Sequence, residues 1–215
     1  HVVFANADPS RGKKGITAFV VDRDAPGLEV STIPMSVPHP IGKLALRGCK
    51  VPDSARLGEV GHGLRIALGT LETFRISVGA AACGMARHAL AQSIAHVKRR
   101  KQFGAPLCDQ QMVKAYLAEM ATELDAARLL VARAAHRRDT VTERVPREAA
   151  MAKMYATEAA QRIIDKAVQL HGGLGVTTGS DVESLYREIR PLRIYEGTTE
   201  IQKLIIARSL LEDGT

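Results

Sequence analysis

The sequence predicts a mainly α protein whose C-terminal part is an up-down four-helix bundle, preceded by part of an antiparallel β domain. Three observations carry this. Residues 1 to 60 alternate short β-prone runs with turn chemistry. From Gly61 onward apolar residues recur every three or four positions, the period of a helix face. Pro and Gly punctuation then divides that region into three long segments and a short one. The predicted domains are therefore 1–60, the closing part of a β domain, and 61–215, the bundle.

In the first region the β runs are Val2 to Ala5, Ile16 to Asp22, Leu28 to Pro34 and Leu44 to Val51. The loops Asp8-Pro9-Ser10-Arg11-Gly12 and Asp24-Ala25-Pro26-Gly27 separate the first three. Pro38-His39-Pro40-Ile41-Gly42 crowds two prolines and a glycine into a turn before the fourth. The starting residues HVVFAN have neither an initiating Met nor a basic leader, so the chain reads as beginning within a domain.

The first helix is expected from about Leu64 to Lys98, with Leu71, Val78, Met85 and Ala89 facing inward. Pro106 and Asp109 precede the second, on which Met112, Tyr116, Met120, Leu124, Ala127 and Val131 share a face. Arg137-Arg138-Asp139-Thr140 to Pro146 reads as a polar loop. The third helix runs from about Arg147 to Leu170, with Met151, Tyr155, Ile163 and Ala167 inward and Gly172-Gly173 as its stop. A final helix covers Thr199 to Leu211. Long helices joined by short connections pack as an antiparallel bundle.

The 46% apolar and 25% charged residues are ordinary for a water-soluble domain. Aromatics at 4% and the lack of Trp argue against a stacking platform for nucleic acid. The formal net charge of +7 favours an anionic partner without choosing among a phosphate-rich cofactor, a CoA ester and nucleic acid. Cys49, Cys83 and Cys108 are odd in number and far apart, which fits a reducing compartment and gives no metal-type spacing. No run approaches 18 consecutive apolar residues, so no spanning segment is expected.

Three stretches carry chemistry. In Arg193-Ile194-Tyr195-Glu196-Gly197-Thr198-Thr199-Glu200-Ile201-Gln202 a carboxylate sits on a Gly-flanked turn before a helix, with Thr199 and Gln202 at capping-box spacing. Glu196 is either a positioned base or simply an acid favoured by the helix dipole. Arg99-Arg100-Lys101-Gln102-Phe103-Gly104 is either an anion grip, with Gly allowing close backbone approach, or a cationic last turn with Phe103 packed in the core. Gln169-Leu170-His171-Gly172-Gly173-Leu174-Gly175 offers a bare backbone to a ligand or merely ends a helix, and lacks the strand and spacing of a dinucleotide-binding turn. His171 reads as a packed or hydrogen-bonded histidine rather than a ligand.

Taken in order, Arg100-Lys101-Gln102-Phe103-Gly104, Gln169 to Gly175 and Tyr195-Glu196-Gly197-Thr198 resemble the signatures of the acyl-CoA dehydrogenase family. The resemblance extends back through Gly27-Leu28, Val51-Pro52 and Leu57-Gly58 to Leu71-Glu72-Thr73-Phe74-Arg75. It implies a β middle domain followed by a C-terminal four-helix bundle, FAD as cofactor, and identical subunits, as a homodimer or homotetramer, that share the FAD site. It also implies an acyl-CoA substrate, electron-transfer flavoprotein as partner, no membrane partner, and the cytoplasm in a bacterium or the mitochondrial matrix in a eukaryote.

Residue by residue, the resemblance makes Glu196 the catalytic base, because the place of the alternative base before Arg75 holds Phe74. Arg100, Phe103, Gln111, Gln169, Gly172, Gly173, Thr198 and Glu200 match cofactor contacts. Glu72, Arg75, Tyr195 and Gly197 match substrate-side positions. The implied reaction is α,β-dehydrogenation of an acyl-CoA thioester to a trans-2-enoyl-CoA. Burial should raise the Glu196 pKa against the helix dipole, with desolvation expected to win only once substrate fills the site. The alternatives are an acyl-CoA oxidase, a non-catalytic assembly domain, or a nucleic-acid-binding relative, the last disfavoured because the basic residues are dispersed and not interleaved with aromatics. Arg187-Glu188 in place of the usual Arg-Asp, and the stretch Met35 to Lys43, depart from the family pattern.

Overall fold

A computed structural model describes residues 1–142 and 144–212. The chain divides into two compact units, His1–Leu71 and Glu72–Thr215.

The first unit holds β1 (Val2–Asn6), β2 (Ile16–Val20), β3 (Leu28–Thr32), β4 (Gly42–Leu46) and β5 (Arg56–Leu57). β1, β2 and β5 form an antiparallel sheet in the order β1-β2-β5, with Val3 opposite Phe19 and Ala18 opposite Leu57. β3 and β4 form a separate antiparallel hairpin, with Val30 opposite Leu44. Between β1 and β2, the Asp8 carboxylate accepts from the Ser10 amide and hydroxyl, opening a 3-10 stretch over Pro9–Gly15. The strand expected over Leu44 to Val51 is instead centred earlier. β4 starts at Gly42, and Gly48 with φ of 61° turns the chain away after Leu46, since left-handed backbone cannot continue a strand.

Helix α1 (Gly63–Arg99) begins in the first unit and continues into the second. There it joins α2 (Gln111–Thr140), α3 (Pro146–His171), α4 (Asp181–Leu192) and α5 (Thr199–Glu212). Between α1 and α2 lies a small hairpin of β6 (Lys101–Gln102) and β7 (Ala105–Pro106). Pro146 occupies the first turn of α3, where its missing N–H has no cost, and Gly172 ends the helix with φ of 59°. The expected polar loop from Arg137 starts later, because Arg137 and Arg138 form the last turn of α2, where cations complement the free carbonyls.

The core lies where small residues let helices approach. Ala82, Ala86, Ala89 and Val97 of α1 pack with Met120, Leu124 and Ala127 of α2, and with Ala156, Ala159, Ala160, Ile163 and Ile164 of α3. α3 is the central helix, packed against α2, α4 and α5, and its buried alanines make that centrality possible. α4 was not anticipated from the sequence. Its charged surface and Pro191 mask a buried stripe of Val182, Ile189 and Leu192. Among the described helices α1 alone is long and apolar enough by composition to cross a membrane, and here part of that apolar surface is the alanine face in the bundle core.

Candidate active site

The segment from Arg193 to Thr198 links α4 to α5, with Tyr195, Glu196 and Gly197 within it. Glu196 has φ of 58°, in the left-handed region that a side chain of its size rarely adopts. Three donors hold the backbone in this state. Arg75 Nε of α1 donates to the Glu196 carbonyl at 3.0 Å, and Gln202 Nε2 of α5 donates to the same oxygen at 3.1 Å. The Gly197 carbonyl accepts from Gln202 Nε2 at 2.9 Å and from Lys153 Nζ of α3 at 2.9 Å. Gly197 has φ of 88°, and a Cβ there would lie 2.8 Å from Gln202 Nε2, so both the conformation and the donor require glycine.

Glu158 of α3 closes the loop at its base. Its carboxylate accepts from Thr199 Oγ1 at 2.6 Å and from Arg193 Nε at 2.9 Å, joining the end of α4 to the start of α5. Burial pushes the Glu158 carboxyl up, but these hydrogen bonds and the Arg193 and Arg162 charges carry it below the ordinary carboxylate value. The expected capping box is therefore absent. Thr199 is turned to Glu158 and Gln202 to the loop carbonyls, while Thr198 Oγ1, at 3.5 Å, is the acceptor facing the Ile201 amide.

With its backbone fixed, Glu196 presents a carboxylate whose Oε2 is buried and has no hydrogen-bond partner. A buried, unpaired acceptor in a fixed loop is uncommon and points to chemistry rather than to fold stability. Burial raises its pKa, opposed by Arg75 first and then Lys153. Burial by the chain's own atoms thus outweighs the two cations, where the sequence led to the expectation that substrate would be needed. The half-buried Tyr195 is raised in turn, mainly by burial and next by the Glu196 charge.

A second cleft lies at the other end of α3, lined by His96, Arg100, Gln169, His171, Gly172 and Gly173. The His96 and His171 rings stack with centroids 4.3 Å apart, and His171 Nδ1 lies 2.7 Å from the Ala167 carbonyl. A Cβ on either Gly172 or Gly173 would meet nothing within 4 Å, so the backbone faces open space. Beside it, Phe103 and Gly104 form a two-residue hairpin turn with φ of 54° and 80°. Phe103 is 94% exposed, which removes the reading of it as a core residue within this chain.

Residues 61–211 match the family model described as acyl-CoA dehydrogenase, C-terminal domain. The chain belongs to the acyl-CoA dehydrogenase family. It is 40% identical over 221 residues to caffeyl-CoA reductase-Etf complex subunit CarC of Acetobacterium woodii, covering 98% of this chain and 56% of that protein. It is 41% identical over 220 residues to human mitochondrial short-chain specific acyl-CoA dehydrogenase, covering 98% and 52%. Among solved structures, butyryl-CoA dehydrogenase from Megasphaera elsdenii superposes with a TM-score of 0.92 at 37% identity, covering 98% of this chain and 55% of that one. The chain thus spans about half the length of the relatives it matches.

In this acyl-CoA dehydrogenase chain the expected site residues fall into two groups. Glu196, Tyr195, Gly197, Thr198, Glu200 and Arg75 gather around the α4–α5 loop. Arg100, Gln169, Gly172 and Gly173 gather at the distal cleft, with Phe103 on the adjoining hairpin and Gln111 at the first turn of α2. Lys153 and Gln169 are 169 − 153 = 16 residues apart on α3, so the two groups lie roughly 24 Å apart at ~1.5 Å per residue. Glu72 is only 2% exposed, and its oxygens accept from Arg144 Nε at 2.9 Å and the Val145 amide at 2.7 Å, so it anchors the entry to α3. Sequence reading missed Lys153 and Glu158 and gave Gln202 only a capping role. For Lys153 a signal existed, since it lies at helical spacing from Ala149, Ala156 and Ala160, inside an otherwise small and apolar stripe.

Proposed function

We propose that the protein containing this chain catalyses FAD-dependent α,β-dehydrogenation of an acyl-CoA thioester to a trans-2-enoyl-CoA, with Glu196 as the base. The observation that carries this is the unpaired, buried Oε2 of Glu196 on a loop fixed by Arg75, Gln202 and Lys153. The thioester acidifies the α-carbon, and Glu196 takes that proton. A dehydrated carboxylate is a stronger base than one in water, which its raised pKa reflects. Tyr195 and Gly197 would shape the wall around the carboxylate, while the buried Arg75 holds the Glu196 carbonyl behind it.

The residues present fit FAD: Gly172 and Gly173 leave their backbone open, and Arg100 supplies a planar cation in the same cleft. When bound, FAD accepts the β-hydride. Gln169, Gly172, Gly173, Arg100, Phe103 and Gln111 would hold it from one subunit, and Thr198 and Glu200 from another. The roughly 24 Å along α3 between the two groups supports a site shared by identical subunits, as a homodimer or homotetramer. Electron-transfer flavoprotein is the proposed redox partner, supported by the relative whose name includes Etf. A domain boundary between residues 60 and 61 is supported by the start of the family match at 61, whereas the compact units divide after Leu71, within α1.

The reductase relative favours a second reading in which the same groups run in reverse, Glu196 delivering the proton to the α-carbon of an enoyl-CoA. One anaerobic experiment on the full-length holoprotein addresses both. Acyl-CoA esters should bleach the flavin absorbance in the forward reading, and enoyl-CoA esters should restore it after reduction in the reverse one. Glu196→Gln should retain flavin and slow bleaching by at least ~100-fold, the scale of a lost general base. Bleaching of Glu196→Gln at the wild-type rate removes the base assignment, rapid peroxide formation when air is admitted to the substrate-reduced protein indicates an oxidase, and a full-length chain without flavin favours an assembly role.

A further inference from the structure

Lys153 has no part in the reaction described so far, yet it is fully buried on the central helix α3. Buried lysines are rare and are normally matched by a carboxylate. Here the ammonium donates to a neutral acceptor, the Gly197 carbonyl, at 2.9 Å. The charged groups that act on it are Arg75 on α1, Glu158 on α3 itself, Glu196 on the loop, and Glu200 on α5. Its position also has a simple apolar substitute. The Gly197 carbonyl accepts a second hydrogen bond from Gln202, so an uncharged side chain of similar length would leave no orphaned group there.

We propose that Lys153 is a positioning residue for Glu196: its ammonium fixes the loop through the Gly197 carbonyl and supplies the second positive charge that acts on the Glu196 carboxylate. Arg75, bonded to the Glu196 carbonyl, supplies the first. The two cations oppose the rise that burial imposes on the Glu196 pKa, and so favour the ionised form that acts as a base in a dehydrated place. Burial, then the repulsion of Arg75, brings the Lys153 pKa down to about 8, so its charge is present at neutral pH and is lost on further alkalinisation. This inference rests on Glu196 being the base, but its physical core, a coupling between Lys153 and Glu196, can be measured without turnover.

The test uses the full-length holoprotein with Lys153→Met, which removes charge and donor, and Lys153→Gln, which removes the charge and keeps a donor. The first readout is the infrared band of the protonated Glu196 carboxyl, assigned by its loss in Glu196→Gln and followed against pH. The second is the pH profile of flavin reduction by acyl-CoA. Both variants should move the Glu196 midpoint and the acid limb to higher pH by roughly one unit, a tenfold loss of rate on the limb. Lys153→Gln should recover the wild-type rate at high pH, and Lys153→Met should fall short of it because the loop has lost a donor. A space-filling lysine predicts an unmoved band and limb in both variants, and that result overturns the proposal. A band that moves in a protein whose flavin is not reduced by any acyl-CoA supports the coupling while removing the proposed reaction. Should Lys153→Met fail to fold, Lys153→Gln alone decides the matter.

Discussion

Gly197→Ala is the most searching perturbation of the loop, because its cost follows from named atoms. The alanine would have to hold a φ near 88°, a left-handed conformation that costs an L-residue about 1–2 kcal/mol. Its Cβ would stand 2.8 Å from Gln202 Nε2, and Gln202 is fully buried and cannot swing into solvent. Displacing that amide breaks its hydrogen bonds to the Glu196 and Gly197 carbonyls, at about 1 kcal/mol each. The expected loss is about 3 kcal/mol, a fall in unfolding midpoint on the order of 10 °C for a cooperative unit of this size. The assay is thermal unfolding of the full-length holoprotein at one fixed protein concentration, since flavin and assembly also shift the midpoint. Gln202→Ala breaks the same two bonds, so the double variant should lose about 2 kcal/mol less than the two single losses added together. Strict additivity, or a midpoint within about 2 °C of wild type for Gly197→Ala, refutes the account of the loop.

Three further outcomes follow from the same geometry. Gly173→Ala meets nothing within 4 Å, so stability should change by less than about 0.5 kcal/mol, while flavin dissociation measured by fluorescence should rise if the open backbone receives FAD. Phe103→Asn suits a left-handed hairpin turn better than Phe does and should leave the circular dichroism unchanged, yet reduce bound flavin per chain or subunit association by sedimentation; no change in either removes Phe103 from the shared site. Glu158→Gln should cost about 1 kcal/mol at neutral pH, and because the folded carboxyl titrates below its unfolded value, the difference from wild type is present above the unfolded pKa and disappears as pH falls through the folded one, read from urea midpoints across pH.

The bundle was legible where burial leaves a periodic trace. Met120, Leu124 and Ala127 fall on one face of α2 and are buried together, and Pro146 and Gly172-Gly173 delimit α3. Met112, placed on the same inner face, is 64% exposed, because at the first turn of α2 Val113 rather than Met112 packs against the core, in line with Tyr116 and Leu117. Glu196 was legible because its turn motif is local. What holds it was not. The Lys153 bond to Gly197 and the Thr199 bond to Glu158 span 44 and 41 residues, and the apolar stripe around Lys153 signals its burial but not its partner. Such pairings are consequences of the bundle's closure, which no short window of sequence contains.

Backbone strain marks both groups of expected site residues. Among the described residues only Phe103 and Glu196 combine a side chain with positive φ. Each costs on the order of 1 kcal/mol relative to glycine, and each lies in a motif that sequence reading singled out for chemistry. At Glu196 the strain is held by Arg75, Gln202 and Lys153, so the local framework supports it within this chain. At Phe103 nothing comparable exists: the ring is 94% exposed on a two-residue turn where Asn or Gly would be more stable. A strained aromatic side chain left in solvent gains nothing for the isolated chain. In the proposed shared site, a flavin or a second copy of the protein seated against the Arg100–Gly104 hairpin would supply what the three donors supply at Glu196.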